Sequence, residues 1–73
     1  MTATEDRRGV LLAWITERSY HYNLTASEIV DVSGIYTGHG RYDRCFDDLK
    51  ALARQGAVER LPGRPARWRG CRR

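Results

Sequence analysis

The chain has 73 residues, enough for one domain only, because a second hydrophobic core needs roughly 100 residues or more per domain. With 41% hydrophobic and 30% charged residues, the composition is that of a folded globular chain and excludes the disordered and fibrous classes. No apolar run nears the ~18 residues of a membrane span, and Met1-Thr2-Ala3-Thr4-Glu5-Asp6 lacks the basic-then-apolar layout of a secretory leader; a cytoplasmic protein with no membrane partner is expected.

Charge is unevenly placed. Residues 54–73 carry seven arginines against Glu59, a net +6, while residues 1–53 carry six basic and eight acidic side chains, a net −2. Twelve of the thirteen basic residues are arginine, a side chain suited to bidentate contact with phosphate or base edges. The two cysteines, Cys45 and Cys71, are too few for the disulfide framework of a secreted miniprotein, so reduced thiols are expected.

From Glu5 to Arg18, Val10, Leu11, Trp14 and Ile15 form one apolar stripe and predict a helix. Thr4 is its expected N-cap and Glu5 and Asp6 its acidic first turn. Residues 19–23 break the pattern, and Leu24-Thr25 leaves room for a stub of strand. Thr25-Ala26-Ser27-Glu28 has the form of a capping box ahead of a short helix, about Ala26 to Ser33, stopped by Gly34. Ile35 to Gly40 reads as a loop.

Tyr42, Cys45, Phe46, Leu49, Leu52 and Ala53 then recur at helical spacing, the cleanest periodic signal in the chain, and predict a third helix from about Arg41 to Gln55 closed by Gly56. Ala57–Leu61 and Ala66–Arg69 flank Pro62-Gly63-Arg64-Pro65, where Pro62-Gly63 suits the centre of a type II turn. Strand alternation in the second limb points Trp68 one way and Arg67 and Arg69 the other. The expected fold class is mainly α with a small β-hairpin, a single domain over 1–73 with its core at about 5–70 and a frayed basic tail at 71–73.

Helix, strand stub, helix, loop, helix, hairpin is the order of a winged helix-turn-helix domain. Leu24-Thr25-Ala26-Ser27-Glu28-Ile29-Val30 resembles the start of that family's second helix, residues 45–56 its third helix with terminal glycine, and residues 57–69 its wing. The resemblance implies a bacterial or phage DNA-binding domain, a transcription regulator or accessory factor. In such a domain the third helix enters the major groove of double-stranded DNA and the wing lies on the backbone. Carried over by position, it implies groove contacts from Arg41, Arg44, Asp47 and Asp48, with Thr37 and His39 at the head of the helix, and wing contacts from Arg64, Arg67 and Arg69. Two features depart from the family pattern: a longer segment between Gly34 and Cys45, and the three acids Asp43, Asp47 and Asp48.

Those acids have a structural reading too. Asp43 and Asp47 suit the helix dipole, and Asp47 can pair with Lys50 at i+3. Arg41 and Arg44 can grip guanine edges or bridge neighbouring acids such as Asp48, which is i+4 from Arg44. An acidic helix and the Tyr20-His21-Tyr22 connector favour an alternative function, a winged-helix module that docks on a partner protein.

No metal or other cofactor is expected, because His21, His39, Cys45 and Cys71 form no C-x2-C or H-x3-H pair. No enzymatic activity is expected either, since the chain carries no phosphate-cradling glycine loop, nucleophile elbow or H-E-x-x-H. Oligomeric state stays open. If about five of the C-terminal arginines neutralise phosphates, log K for a duplex should fall against log[salt] with a slope near −4.5, measurable by titrating a labelled duplex at several salt concentrations.

Overall fold

The computed structural model describes residues 3–18 and 23–71. The Tyr20-His21-Tyr22 connector and tail residues 72 and 73 lie outside them. The elements follow the order α1 (Ala3–Arg18), β1 (Leu24–Thr25), α2 (Ala26–Ser33), α3 (Arg41–Arg54), β2 (Val58–Leu61), β3 (Arg67–Gly70). The strands form one antiparallel sheet in the order β1-β3-β2. Three helices with a small three-stranded sheet make a mainly helical architecture of the winged-helix kind.

Local chemistry sets the ends of the elements. Thr25 caps α2 through a complete capping box: Glu28 N–H donates to Thr25 Oγ1 at 3.2 Å, and Thr25 N–H donates to Glu28 Oε1 at 3.1 Å. Gly34, left-handed at φ 73°, ends that helix. α3 ends in a Schellman motif: Gly56, at φ 77°, donates to the Ala53 carbonyl at 3.1 Å and Ala57 donates to the Leu52 carbonyl at 3.0 Å. These bonds turn the chain directly from α3 into β2.

The core lies where the three helices meet one face of the sheet. Leu11 and Ile15 of α1, Ile29 and Val30 of α2, Cys45, Leu49 and Leu52 of α3, and Leu24, Val58 and Trp68 of the sheet are all buried, together with Tyr36. β3 alternates as expected, with Trp68 inward and Arg67 and Arg69 exposed.

Several local expectations are corrected. α1 begins at Ala3, so Thr4 lies within its first turn instead of capping it. Val10 is exposed because the packed line on α1 runs through Arg7, Leu11 and Ile15 at i, i+4, i+8, which leaves Val10 to one side. Tyr42 is exposed in the first turn of α3, one turn short of the packed stripe that begins at Cys45. The hairpin is not closed by a type II turn. Leu61 pairs with Arg67, so the connection takes five residues, Pro62 to Ala66, and Gly63 sits at φ 150° where that turn requires about +80°.

The end of β3 crosses α1 at very close range. A Cβ built on Gly70 would lie 2.9 Å from Thr16 Cα, whereas one built on Gly9, in the exposed face of α1, meets nothing within 4 Å. Gly70→Ala should therefore destabilise the fold by about 1–3 kcal/mol through overpacking. Gly9→Ala should stabilise it by roughly 0.5–1 kcal/mol through helix propensity. Urea unfolding midpoints of the two variants should move in opposite directions.

Candidate nucleic-acid interface

Four of the residues implied by the resemblance come together at the head of α3. Residues 34–40 connect α2 to α3, and Gly38 and Gly40, at φ 79° and 75°, bend the last turn of that connection. The bend aims the carbonyls of Thr37 and His39 at Arg44, whose guanidinium donates to both, to His39 at 2.7 Å. Arg41 donates to the Gly38 carbonyl at 3.2 Å and lies over the Tyr42 ring, 4.8 Å from its centroid. Tyr42 in turn donates its hydroxyl to Asp31 at 3.1 Å, which ties the head of α3 to the end of α2. Thr37, His39, Arg41 and Arg44 thus form one cluster, but its guanidinium donors are turned onto the loop that leads into the helix.

Asp48 belongs elsewhere. The family resemblance implies a groove-facing position for it, yet its side chain has no exposed surface. Oδ2 accepts from Arg7 Nε and from the Tyr36 hydroxyl, both at 2.6 Å, and Oδ1 accepts from Arg7 Nη2 at 2.9 Å and Arg8 Nε at 3.0 Å. The packed stripe of α3 runs through Cys45, Asp48, Leu49 and Leu52, so the carboxylate points at α1 and cannot reach a base. For the same reason the i+4 bridge from Arg44 to Asp48 is absent. Asp43 and Asp47 do face solvent, and Asp47 meets Lys50 at 3.7 Å.

Electrostatics within this cluster follow from burial and bonding. Burial alone would raise the Asp48 carboxyl, but hydrogen bonds from Arg7, Tyr36 and Arg8 outweigh it and hold the group below its ordinary value. The hydrogen bond to Asp48 raises Arg7 in turn. Tyr36 is pushed well up by burial and by its bond to the carboxylate, and the neighbouring Cys45 thiol is pushed up by burial to about 12. A thiol of that kind stays protonated at neutral pH and behaves as a small core group.

On the hairpin the arginines divide. Arg69 pairs with Glu59, its cross-strand neighbour. Arg67 donates to the Asn23 carbonyl at 3.3 Å and lies 3.6 Å from Glu28, the carboxylate that the Thr25 backbone N–H holds below its ordinary value. Arg64 is exposed in the connection between the strands and, among the described residues, has no partner.

From the sequence, Arg54 and Arg60 belong to the C-terminal charge excess and Lys50 is a partner for Asp47, with Lys50 and Arg54 also suiting the C-terminal end of the helix dipole; none of the three is assigned a DNA contact. Arg54 is exposed and, like Arg64, has no partner among the described residues. Arg60 stacks over the Trp68 ring at 5.8 Å, and Lys50 lies 5.1 Å over Phe46. The signal for Arg60 was the hairpin register, which sets it directly opposite Trp68.

Among the described residues no group of three or more His, Cys, Asp or Glu side chains could hold a metal ion, and no helix is long and apolar enough to cross a membrane. No protein-family model matches this chain, and no curated protein sequence matches it.

Removing the Asp48 charge should expose how much depends on it. Asp48→Asn should cost about 3 kcal/mol, because it leaves Arg7 facing a neutral amide, and Tyr36→Phe about 1–2 kcal/mol. Since the folded-state carboxyl is depressed, its contribution is present above the unfolded value of ~3.9 and is lost as pH falls through the folded value. Wild-type stability should therefore fall with acidification below about pH 4, and the Asn variant should show a shallower fall. Chemical denaturation across that pH range checks both outcomes.

Proposed function

We propose that this chain is a winged-helix DNA-binding protein, acting as a transcription regulator or an architectural accessory factor. In this reading α3 approaches the major groove of a duplex and the β2–β3 hairpin follows its backbone. The observation that carries it is the position of the hairpin: β2 leaves α3 directly and packs beside it, and the end of α3, β2 and the loop after it carry Arg54, Arg60 and Arg64, all exposed and without a carboxylate partner among the described residues. The charge excess of the C-terminal third thus has a local surface on which to act. Asp43 and Asp47 repel phosphates along the first turns of α3, which favours an approach weighted toward the C-terminal half of that helix and the hairpin.

A second reading, a module that docks on a protein, is favoured by one specific observation. Val32 is 66% exposed and Tyr42 40% exposed, and the acids Asp31, Asp43 and Asp47 are exposed on the same two helices. A mixed apolar and acidic surface of that kind suits a protein partner better than a polyanion.

Titration of a labelled duplex at several salt concentrations tests the first reading. Arg54, Arg60 and Arg64 alone give a slope of log K against log[salt] of about −2.7, and the slope reaches about −4.5 if Arg67 and Arg69 exchange their carboxylates for phosphates. Arg64→Ala should weaken binding to all sequences alike and reduce the slope by about 1. Absence of binding at low salt, or binding indifferent to salt, overturns the DNA reading. Capture of a protein partner from nuclease-treated lysate, unaffected by Arg64→Ala, would then support the second.

A further inference from the structure

Two of the exposed cations sit on aromatic rings. Phe46 of α3 and Trp68 of β3 meet edge to face, with ring centroids 5.8 Å apart and planes at 89°. Each ring carries a cation. Lys50, one turn beyond Phe46, places Nζ 5.1 Å from the phenyl centroid, and Arg60, opposite Trp68 in the β2–β3 register, places its guanidinium 5.8 Å from the indole centroid. Lys50, Phe46, Trp68 and Arg60 therefore form an unbroken row across the seam between α3 and edge strand β2.

The two cations at the ends of this row are exposed. Arg60 has no carboxylate partner among the described residues. Lys50 has only Asp47 as a carboxylate partner, at 3.7 Å, with the side chains 47% and 68% exposed, and such a pair contributes little. Beside Arg60, the residues Pro62, Gly63 and Ala66 line an open hollow of about 370 Å³. Of the hairpin arginines on the opposite face of the sheet, Arg69 is hydrogen-bonded to Glu59, and Arg67 donates to the Asn23 carbonyl and lies 3.6 Å from Glu28.

We infer that the seam between α3 and β2 is a phosphodiester-binding subsite in which Lys50 and Arg60, seated on the Phe46–Trp68 pair, take backbone phosphates of the duplex. The inference rests on the DNA-binding reading and differs from the sequence expectation about which arginines do the work. Stacking on a ring immobilises a long side chain before the ligand arrives, so less rotamer entropy is lost on binding. To accept phosphate Arg60 gives up no carboxylate and Lys50 one weak surface pair, whereas Arg67 gives up a comparable surface pair together with the Asn23 carbonyl, and Arg69 gives up the hydrogen-bonded Glu59.

The test uses the full chain labelled with 15N, titrated at low salt with a short duplex and separately with inorganic tripolyphosphate. The Trp68 indole N–H resonance is the readout and the Trp14 indole the internal control. Both ligands should shift Trp68 and leave Trp14 in place. A double variant, Lys50→Ala with Arg60→Ala, should lose at least tenfold in duplex affinity and about 2 in salt slope. Arg67→Ala with Arg69→Ala should change affinity less than threefold, and Arg60→Lys, which keeps the charge, should recover most of the loss. The spectrum of each variant reports its folding in the same experiment.

A duplex that binds without moving Trp68, or whose affinity drops in the Arg67 and Arg69 variant and not in the Lys50 and Arg60 variant, overturns the subsite while the DNA reading survives. If tripolyphosphate shifts Trp68 and the duplex does not bind, the anion site stands and the DNA reading falls. If neither ligand moves Trp68 and the duplex does not bind, both fall.

Discussion

A single buried carboxylate holds the pieces of this small domain in register. Asp48 sits on the packed face of α3 and accepts four hydrogen bonds, three from consecutive arginines of α1 and one from the tyrosine of the α2–α3 connection. Taking such a group out of water costs several kcal/mol, and only a complete set of charged or polar donors offsets that cost. The geometry tolerates little error, so α1 and the connection can dock on α3 in few other ways. A domain of this size has a limited apolar core. The polar cluster extends the packing of α1 beyond Leu11 and Ile15, through Arg7 on the same line of the helix.

That arrangement also decides which charges the outside world meets. Arg7 and Arg8 are consumed by Asp48, Arg44 by two backbone carbonyls, and Arg67 and Arg69 by glutamates. Among the described residues of the C-terminal third, Arg54, Arg60 and Arg64 are left without a carboxylate partner, at the end of α3, on β2 and in the loop that follows it; Arg18 and Arg41, exposed on α1 and α3, lie over aromatic rings instead. The arginine count of the C-terminal third therefore overstates how many of its guanidinium groups stand free of a carboxylate, although the unpaired ones do lie in that segment. The difference matters for any polyanionic partner, since the paired arginines respond to it only after their present bonds break.

The elements were legible in the sequence because each is set by short-range chemistry. The Thr25–Glu28 capping box and Gly34 bracket α2, the stripe from Cys45 to Leu52 defines α3, and alternation about Trp68 defines β3. The polar interactions were harder to read because they join residues far apart in the chain. Helical spacing does set Asp48, three residues after Cys45 and four before Leu52, on the packed stripe and Asp47 off it; what no local pattern shows is that Arg7 and Arg8, some forty residues away in sequence, supply the donors that let a carboxylate stay there. Likewise Arg41 and Arg44 at the head of α3 suggest outward reach, but the positive-φ glycines before them turn carbonyls toward their guanidinium groups. The turn chemistry of Pro62-Gly63 misled for a different reason, because cross-strand pairing of Leu61 with Arg67 fixes the loop length.

The two thiols differ sharply in environment. Cys45 is sealed in the core with its proton firmly held, while Cys71 lies exposed just after the last strand, its N–H bonded to the Ala57 carbonyl. Thiolate chemistry selects by access and by ionisation together, so a maleimide or a spin label will attach at one place without any cysteine having to be removed. The native molecule thus comes with a single addressable handle at the foot of the hairpin, where a dye can report the approach of a ligand.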